Sequence, residues 1–69
     1  MVLALRLESN PQIPLYRRVS SALREAIVEG RLRPGAELPS AQELAVSLDV
    51  SRDTVVKSYR ELIGEGYLE

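Results

Sequence analysis

The sequence predicts a small, mainly α-helical domain of three helices, the last two joined as a helix-turn-helix. Three observations carry this. Apolar residues recur at spacings of three and four in three separate segments. Ser40 and Ser51 each stand where a helix cap is needed, and Gly30 and Gly66 stand where helices stop. Only Asp49 and Val50 separate the second apolar stripe from the second cap, too few residues for anything but a tight turn between helices.

Before the first helix, Leu3, Leu5 and Leu7 alternate with Ala4 and Arg6, the pattern of a short strand or an extended arm. Pro11 and Pro14 keep "NPQIP" out of helix, because each disfavours helical geometry in the residue before it. Residues 1–13 are therefore an N-terminal arm, and 14–69 the folded domain.

The first helix is expected from Leu15 to Glu29, with Leu15, Val19, Ala22, Leu23, Ala26 and Ile27 on one face. Gly30 stops it, and "RLRPG" follows as a turn with Pro34 and Gly35 in turn order. Leu38, alone before Pro39, suits a very short strand or a core plug. The second helix begins at Ser40, where "SAQE" is a capping box between Ser40 and Glu43. It turns Ala41, Leu44, Ala45 and Leu48 inward and breaks at Asp49, a residue that tolerates the left-handed conformation. Ser51 caps the third helix, expected to run to about Glu65 with Val55, Tyr59, Leu62 and Ile63 as its inner stripe and Val56 beside it. Gly66 closes it, and "YLE" reads as the start of a strand. Ala45, Val50 and Val55 form the steric logic of the turn: a small residue where the helices cross and two apolar ones that seal it.

Composition excludes several functions. There is no histidine and no cysteine, hence no imidazole base, thiolate ligand or disulfide framework. No apolar run is long enough to cross a membrane, and "MVLALRLESN" is too weakly apolar for a secretory signal. No nucleophile–base pairing is present, so an enzyme is not expected, nor a cofactor within this chain. A cytoplasmic location follows as the default.

The net charge of −1 hides an uneven distribution. Residues 14–35 hold five arginines against two glutamates, and 51–60 hold three bases against Asp53. The stretches 36–50 and 61–69 carry three acids each and no base. Positive charge thus lies in two patches, one of them on the third helix, and attraction to phosphate is local because salt screens it beyond about 8 Å.

The first turn of the third helix presents Ser51, Arg52, Asp53 and Thr54, with Lys57 one turn further on. Arg52 suits a bidentate contact with a guanine edge or a grip on phosphate. Thr54 suits a phosphate or a thymine methyl, and Lys57 a phosphate. Asp53 has two readings, an acceptor for a cytosine amino group or a first-turn acid that favours the helix dipole. At the start of the second helix, the amides near Ser40 suit a phosphate and Gln42 points into or across the groove. The competing class is a protein-interaction module that does not bind DNA, supported by the acids Asp53, Glu61 and Glu65.

With these residues assembled, the run "PLYRRVSSALREAIVEGRLRPGAELPSAQELAVSLDVSRDTVVKSYRELIGEGYLE" resembles the DNA-binding domain of the GntR family of bacterial transcription regulators. The anchors are "PLY", "GRLRPG", "LPS", "ELA", "VSRDTV" and "EGYL", and the closing segment is most similar to the MocR-like and YtrA-like branches. The resemblance implies a winged helix-turn-helix, three helices with a wing that is truncated or minimal here, since only "YLE" of the hairpin is present. It implies a sequence-specific transcription regulator bound as a homodimer to a palindromic double-stranded operator. Its DNA contacts would fall on Ser51, Arg52, Asp53 and Thr54 and on Ser40 and Gln42. Any effector ligand would bind on a domain outside these residues. Gln42 stands where many members have arginine, and Asp53 where MocR-like members often have asparagine.

Overall fold

The computed structural model describes residues 5–32 and 38–68 of the chain. It contains α1 (Leu15–Val28), α2 (Ala41–Leu48) and α3 (Arg52–Gly64), and no strand among the described residues. The expected helices all form, with ends within one residue of those read from capping signals. Leu3, Ala4, Pro34, Gly35 and Glu69, which carried parts of the arm, turn and strand readings, lie outside the described residues.

Each helix ends at a residue in the left-handed region, directly after α2 and one right-handed residue later, past Glu29 and Glu65, after α1 and α3. Gly30 (φ 80°) follows α1, Asp49 (φ 58°) follows α2 and Gly66 (φ 86°) follows α3. After α2 the Val50 amide donates to the Ala45 carbonyl at 3.0 Å, and after α3 the Tyr67 amide donates to Leu62 at 2.9 Å. These bonds satisfy helix carbonyls that would otherwise be orphaned and reverse the chain sharply. At Asp49 the reversal makes the turn of the helix-turn-helix.

The starts differ. α1 has no side-chain cap; Pro14 precedes it, and its carbonyl accepts from the Arg17 and Arg18 amides at 3.0 and 3.1 Å. α2 has the full capping box, with the Glu43 amide donating to Ser40 Oγ and the Ser40 amide to Glu43 Oε1, both at 3.1 Å. The Ser40 amide, followed by its hydroxyl, holds the Glu43 carboxyl below its ordinary range. A depressed folded-state pKa gives stability that is present above the unfolded value and lost as pH falls through the folded one. Glu43→Ala should therefore lower the thermal midpoint at neutral pH, and the gap to the parent should close in acid. A gap that stays constant across that range would mean the carboxylate charge contributes nothing.

α3 is the helix on which both others pack. The core joins Val19, Leu23 and Ala26 of α1, Leu44 and Ala45 of α2, and Val55 and Leu62 of α3. Leu32, from the segment after α1, is 1% exposed and belongs to the same cluster, tied in by its amide to the Ala26 carbonyl at 3.0 Å. Leu5, Leu7, Leu38, Val50, Tyr59, Tyr67 and Leu68 pack around its edge.

Two expectations are corrected, and of the two readings of the arm the strand is not seen at residues 5–7. Ile63 is 48% exposed and not part of the inner stripe, because Leu62 takes the inward position and the next residue is turned about 100° around the helix. Tyr67 and Leu68 do not begin a strand; both amides return to the Leu62 carbonyl, and the two side chains cover the core. Leu5 and Leu7 pack against the core without strand geometry.

Between α1 and α3 runs a polar seam. Ser20 and Ser58 are fully buried, and both are satisfied. Ser20 Oγ donates to Glu61 Oε1 at 2.8 Å, and Ser58 Oγ donates to the Tyr16 carbonyl at 2.7 Å. Arg24 Nη2 meets Glu65 Oε1 at 2.6 Å and Glu61 Oε1 at 3.7 Å, and its guanidinium lies 5.5 Å from the Tyr67 ring centre. Glu61 and Glu65 are thus turned toward α1 rather than offered to a partner.

Candidate nucleic-acid interface

The first turn of α3 is built by its cap. Ser51 is extended (φ −74°, ψ 153°), and its hydroxyl accepts from the Thr54 amide at 3.1 Å. Ser51 Oγ and Thr54 Oγ1 also share a hydrogen bond of 2.8 Å. The two hydroxyls therefore hold the turn in shape, and Thr54 is half-buried while Ser51 is exposed.

Arg52 and Asp53 are exposed at the same turn, and no side-chain hydrogen bond or ion pair holds either among the described residues. Their amides belong to the first turn, where N–H groups have no partner within the helix and the dipole is positive. Lys57 follows one turn later, exposed, with Nζ 5.3 Å from the Tyr16 ring centre. Five of the residues picked from the sequence thus gather at the cap and the first two turns of one helix, with Ser51, Arg52, Asp53 and Lys57 exposed.

Ser40 and Gln42 form a separate point. The Tyr59 hydroxyl donates to the Pro39 carbonyl at 2.8 Å, which fixes the entry to α2 beside the middle of α3. Burial, then the Glu43 charge, raises the Tyr59 pKa above its usual value, so the hydroxyl stays a donor through neutral pH. Tyr59 stands eight positions after Ser51, so its backbone lies about 12 Å along α3 from the cap, and its hydroxyl reaches the entry to α2 from there. Gln42 is exposed, while Ser40 is committed to the capping box. Gln42 is thus the exposed side chain at this point, and the amides of Ala41 and Gln42 are first-turn donors without a partner in the helix.

Tyr16 was not picked out from the sequence. It lies on α1, and nothing in the local pattern of "PLYRR" links it to a lysine on α3.

Among the described residues there is no group of acidic, histidine or cysteine side chains that could hold a metal ion, and no helix is long and apolar enough to cross a membrane.

Three helices, an Asp49 turn and a third helix whose first turn exposes Arg52 and Asp53 define a helix-turn-helix domain of the winged-helix fold. Residues 15–69 match the model described as bacterial regulatory proteins, gntR family, and the chain belongs to that family. Among relatives, it is 38% identical over 65 residues to the probable rhizopine catabolism regulatory protein MocR of Rhizobium meliloti, covering 94% of this chain and 13% of that protein. It is 32% identical to the HTH-type transcriptional repressor YtrA of Bacillus subtilis (strain 168), covering 94% of this chain and 50% of that protein. A solved structure, YtrA from Sulfolobus acidocaldarius, a GntR-family transcription factor, superposes with a TM-score of 0.83 at 37% identity, over 90% of this chain and 66% of that one. The chain thus spans between about an eighth and a half of these two curated relatives. Both branches resembled by its closing motifs are represented among them.

Proposed function

We propose that residues 14–69 are the sequence-specific DNA-binding domain of a transcription regulator, working in the cytoplasm, and that residues 1–13 are an arm leading into it. The observation that carries this reading is the bare first turn of α3, where Arg52 is exposed with no side-chain partner among the described residues, beside free helix amides. In a helix-turn-helix the second helix lies in the major groove by its N-terminal residues, and the first crosses the backbone. Arg52 and Asp53 then face base edges, Thr54 and Lys57 line the groove, and the start of α2 with Gln42 meets phosphate. The family is one of regulators, and the relatives named above are regulators and repressors.

One such surface reads only a few base pairs, so the domain works as a homodimer on a palindromic operator, one protomer on each half-site. The interaction-module reading loses support from Glu61 and Glu65, which bond to Ser20 and Arg24 within the fold.

Fluorescence anisotropy with a duplex of about 25 base pairs, selected from a randomised library, tests the reading. If four phosphates are neutralised, affinity should fall about a hundredfold between about 50 and 200 mM salt. Two chains should bind each duplex. Binding indifferent to salt, or absent at the lowest salt, would overturn the proposal.

A further inference from the structure

Lys57 is exposed, yet its ammonium is not left to sweep through solvent. It sits 5.3 Å from the centre of the Tyr16 ring, on a different helix. The backbone holds this pair in register. Ser58, the residue after Lys57, is fully buried, and its one hydroxyl hydrogen is shared between the carbonyls of Tyr16, at 2.7 Å, and Thr54, at 2.9 Å. The Pro14 carbonyl pins the same turn of α1 through the Arg17 and Arg18 amides. Ring and lysine are thus brought together by contacts that involve neither side chain.

The placement joins two parts of the sequence. The basic stretches 14–35 and 51–60 are separated by an acidic one, and they meet at this pair. Arg17, next to Tyr16, has a side chain 62% exposed and reaches Glu61 only at 4.0 Å, so a second cation stands at the same edge of the helix-turn-helix.

A lysine on a bare surface samples many rotamers and must lose them when it meets a phosphate. An aromatic face attracts the ammonium and leaves the side of the cation away from the ring open to an anion. We propose that Tyr16 is a positioning residue that holds the Lys57 ammonium ready for a phosphate of the DNA backbone. This inference rests on the DNA-binding reading above and concerns only how Lys57 is presented.

The test compares the parent chain with Lys57→Ala, Tyr16→Leu, Tyr16→Phe and the Tyr16→Leu/Lys57→Ala double variant, by anisotropy on the selected duplex over a range of salt. Lys57→Ala should weaken binding about three- to tenfold on all sequences alike and make the salt slope shallower by about one. Tyr16→Leu should reproduce at least half of that loss on a logarithmic scale, Tyr16→Phe should bind like the parent, and the double variant should be no worse than Lys57→Ala. Proton NMR gives a readout without DNA: the Lys57 ε-methylene shift displaced by the ring current in the parent and in Tyr16→Phe, and normal in Tyr16→Leu. Tyr16 is half-buried and outside the core cluster, so helicity should survive; Tyr16→Met replaces Tyr16→Leu if circular dichroism shows otherwise.

Affinity and slope unchanged in Tyr16→Leu, or losses from the two positions that simply add, would overturn the positioning role while DNA binding stands. A loss in Tyr16→Phe as large as in Tyr16→Leu would assign the effect to the hydroxyl and also overturn it. A parent chain that shows the ring-current shift but binds no duplex would remove the DNA reading, and this proposal with it.

Discussion

Replacing Leu32 with alanine should destabilise the domain by about 2–5 kcal/mol, the cost of a buried leucine truncated in a core that only partly collapses. Leu32 is 1% exposed among Leu23, Leu44 and Leu62, although it stands outside every helix. A domain of this size has roughly 3–10 kcal/mol in total, taking about 0.05–0.15 kcal/mol per residue. The variant should therefore lose a large share of its stability, with its urea midpoint moved sharply down. Val46→Ala is the matched control. Val46 is 71% exposed on α2, and its loss should change stability by no more than about 0.5 kcal/mol. Equal midpoints for the two variants would show that the segment after α1 does not close the core.

Leu32 also marks the limit of periodic reading. In "GRLRP" one apolar residue stands between two arginines just after a helix stop, and no recurrence gives it a face. What buries it is the left-handed turn at Gly30 and the bond from its amide to Ala26, a result of tertiary packing. The helices themselves were legible, since their caps and stops are local chemistry: Ser40 with Glu43, Ser51 with Thr54, Gly30, Asp49 and Gly66 act within a few residues of where they stand. Ser20 and Ser58 were hidden in another way. Ser20 lies three residues before Leu23, and Ser58 three after Val55 and four before Leu62, so spacing alone puts both on the inner faces. Their hydroxyls disguised them, because besides the local carbonyls of Arg17 and Thr54 their acceptors are Glu61 and the Tyr16 carbonyl, remote in sequence from Ser20 and Ser58 respectively. Ile63 was misplaced by the converse error, an apolar side chain read as inward from its type.

The same division runs through the candidate site. Arg52, Asp53 and Gln42 could be found because they are what remains of their helices after the inward stripes are assigned. The roles of Ser51 and Thr54 in the cap were half legible, as cap chemistry is local. The partner of Lys57 was not, because Tyr16 reaches it only when α1 is laid on α3.

Arg52→Ala should leave the fold intact and change what it reads. The side chain is exposed, bonded to nothing in the domain and outside the hydrophobic cluster, so the thermal midpoint should stay within the range of surface substitutions, about 0.5 kcal/mol. On DNA the expected loss is about 1–3 kcal/mol of discrimination per half-site, concentrated at one base pair, because a guanidinium fork matches the guanine edge and no other. The measurement is a panel of duplexes carrying single base changes in the selected operator, each titrated with parent and variant at one salt concentration. The parent should distinguish one position strongly, and the variant should treat that position as nearly neutral. Lys57→Ala should instead weaken every duplex by the same factor. If Arg52→Ala also weakens every duplex equally, Arg52 grips phosphate, and the bases are read by the remaining exposed residues of that turn, Asp53 first. An acid at that position can accept from cytosine but repels phosphate, so the groove must be approached with the backbone held away from Asp53. Arg52 and Lys57 flank Asp53 on α3, one residue before and four after, and are placed to set that distance.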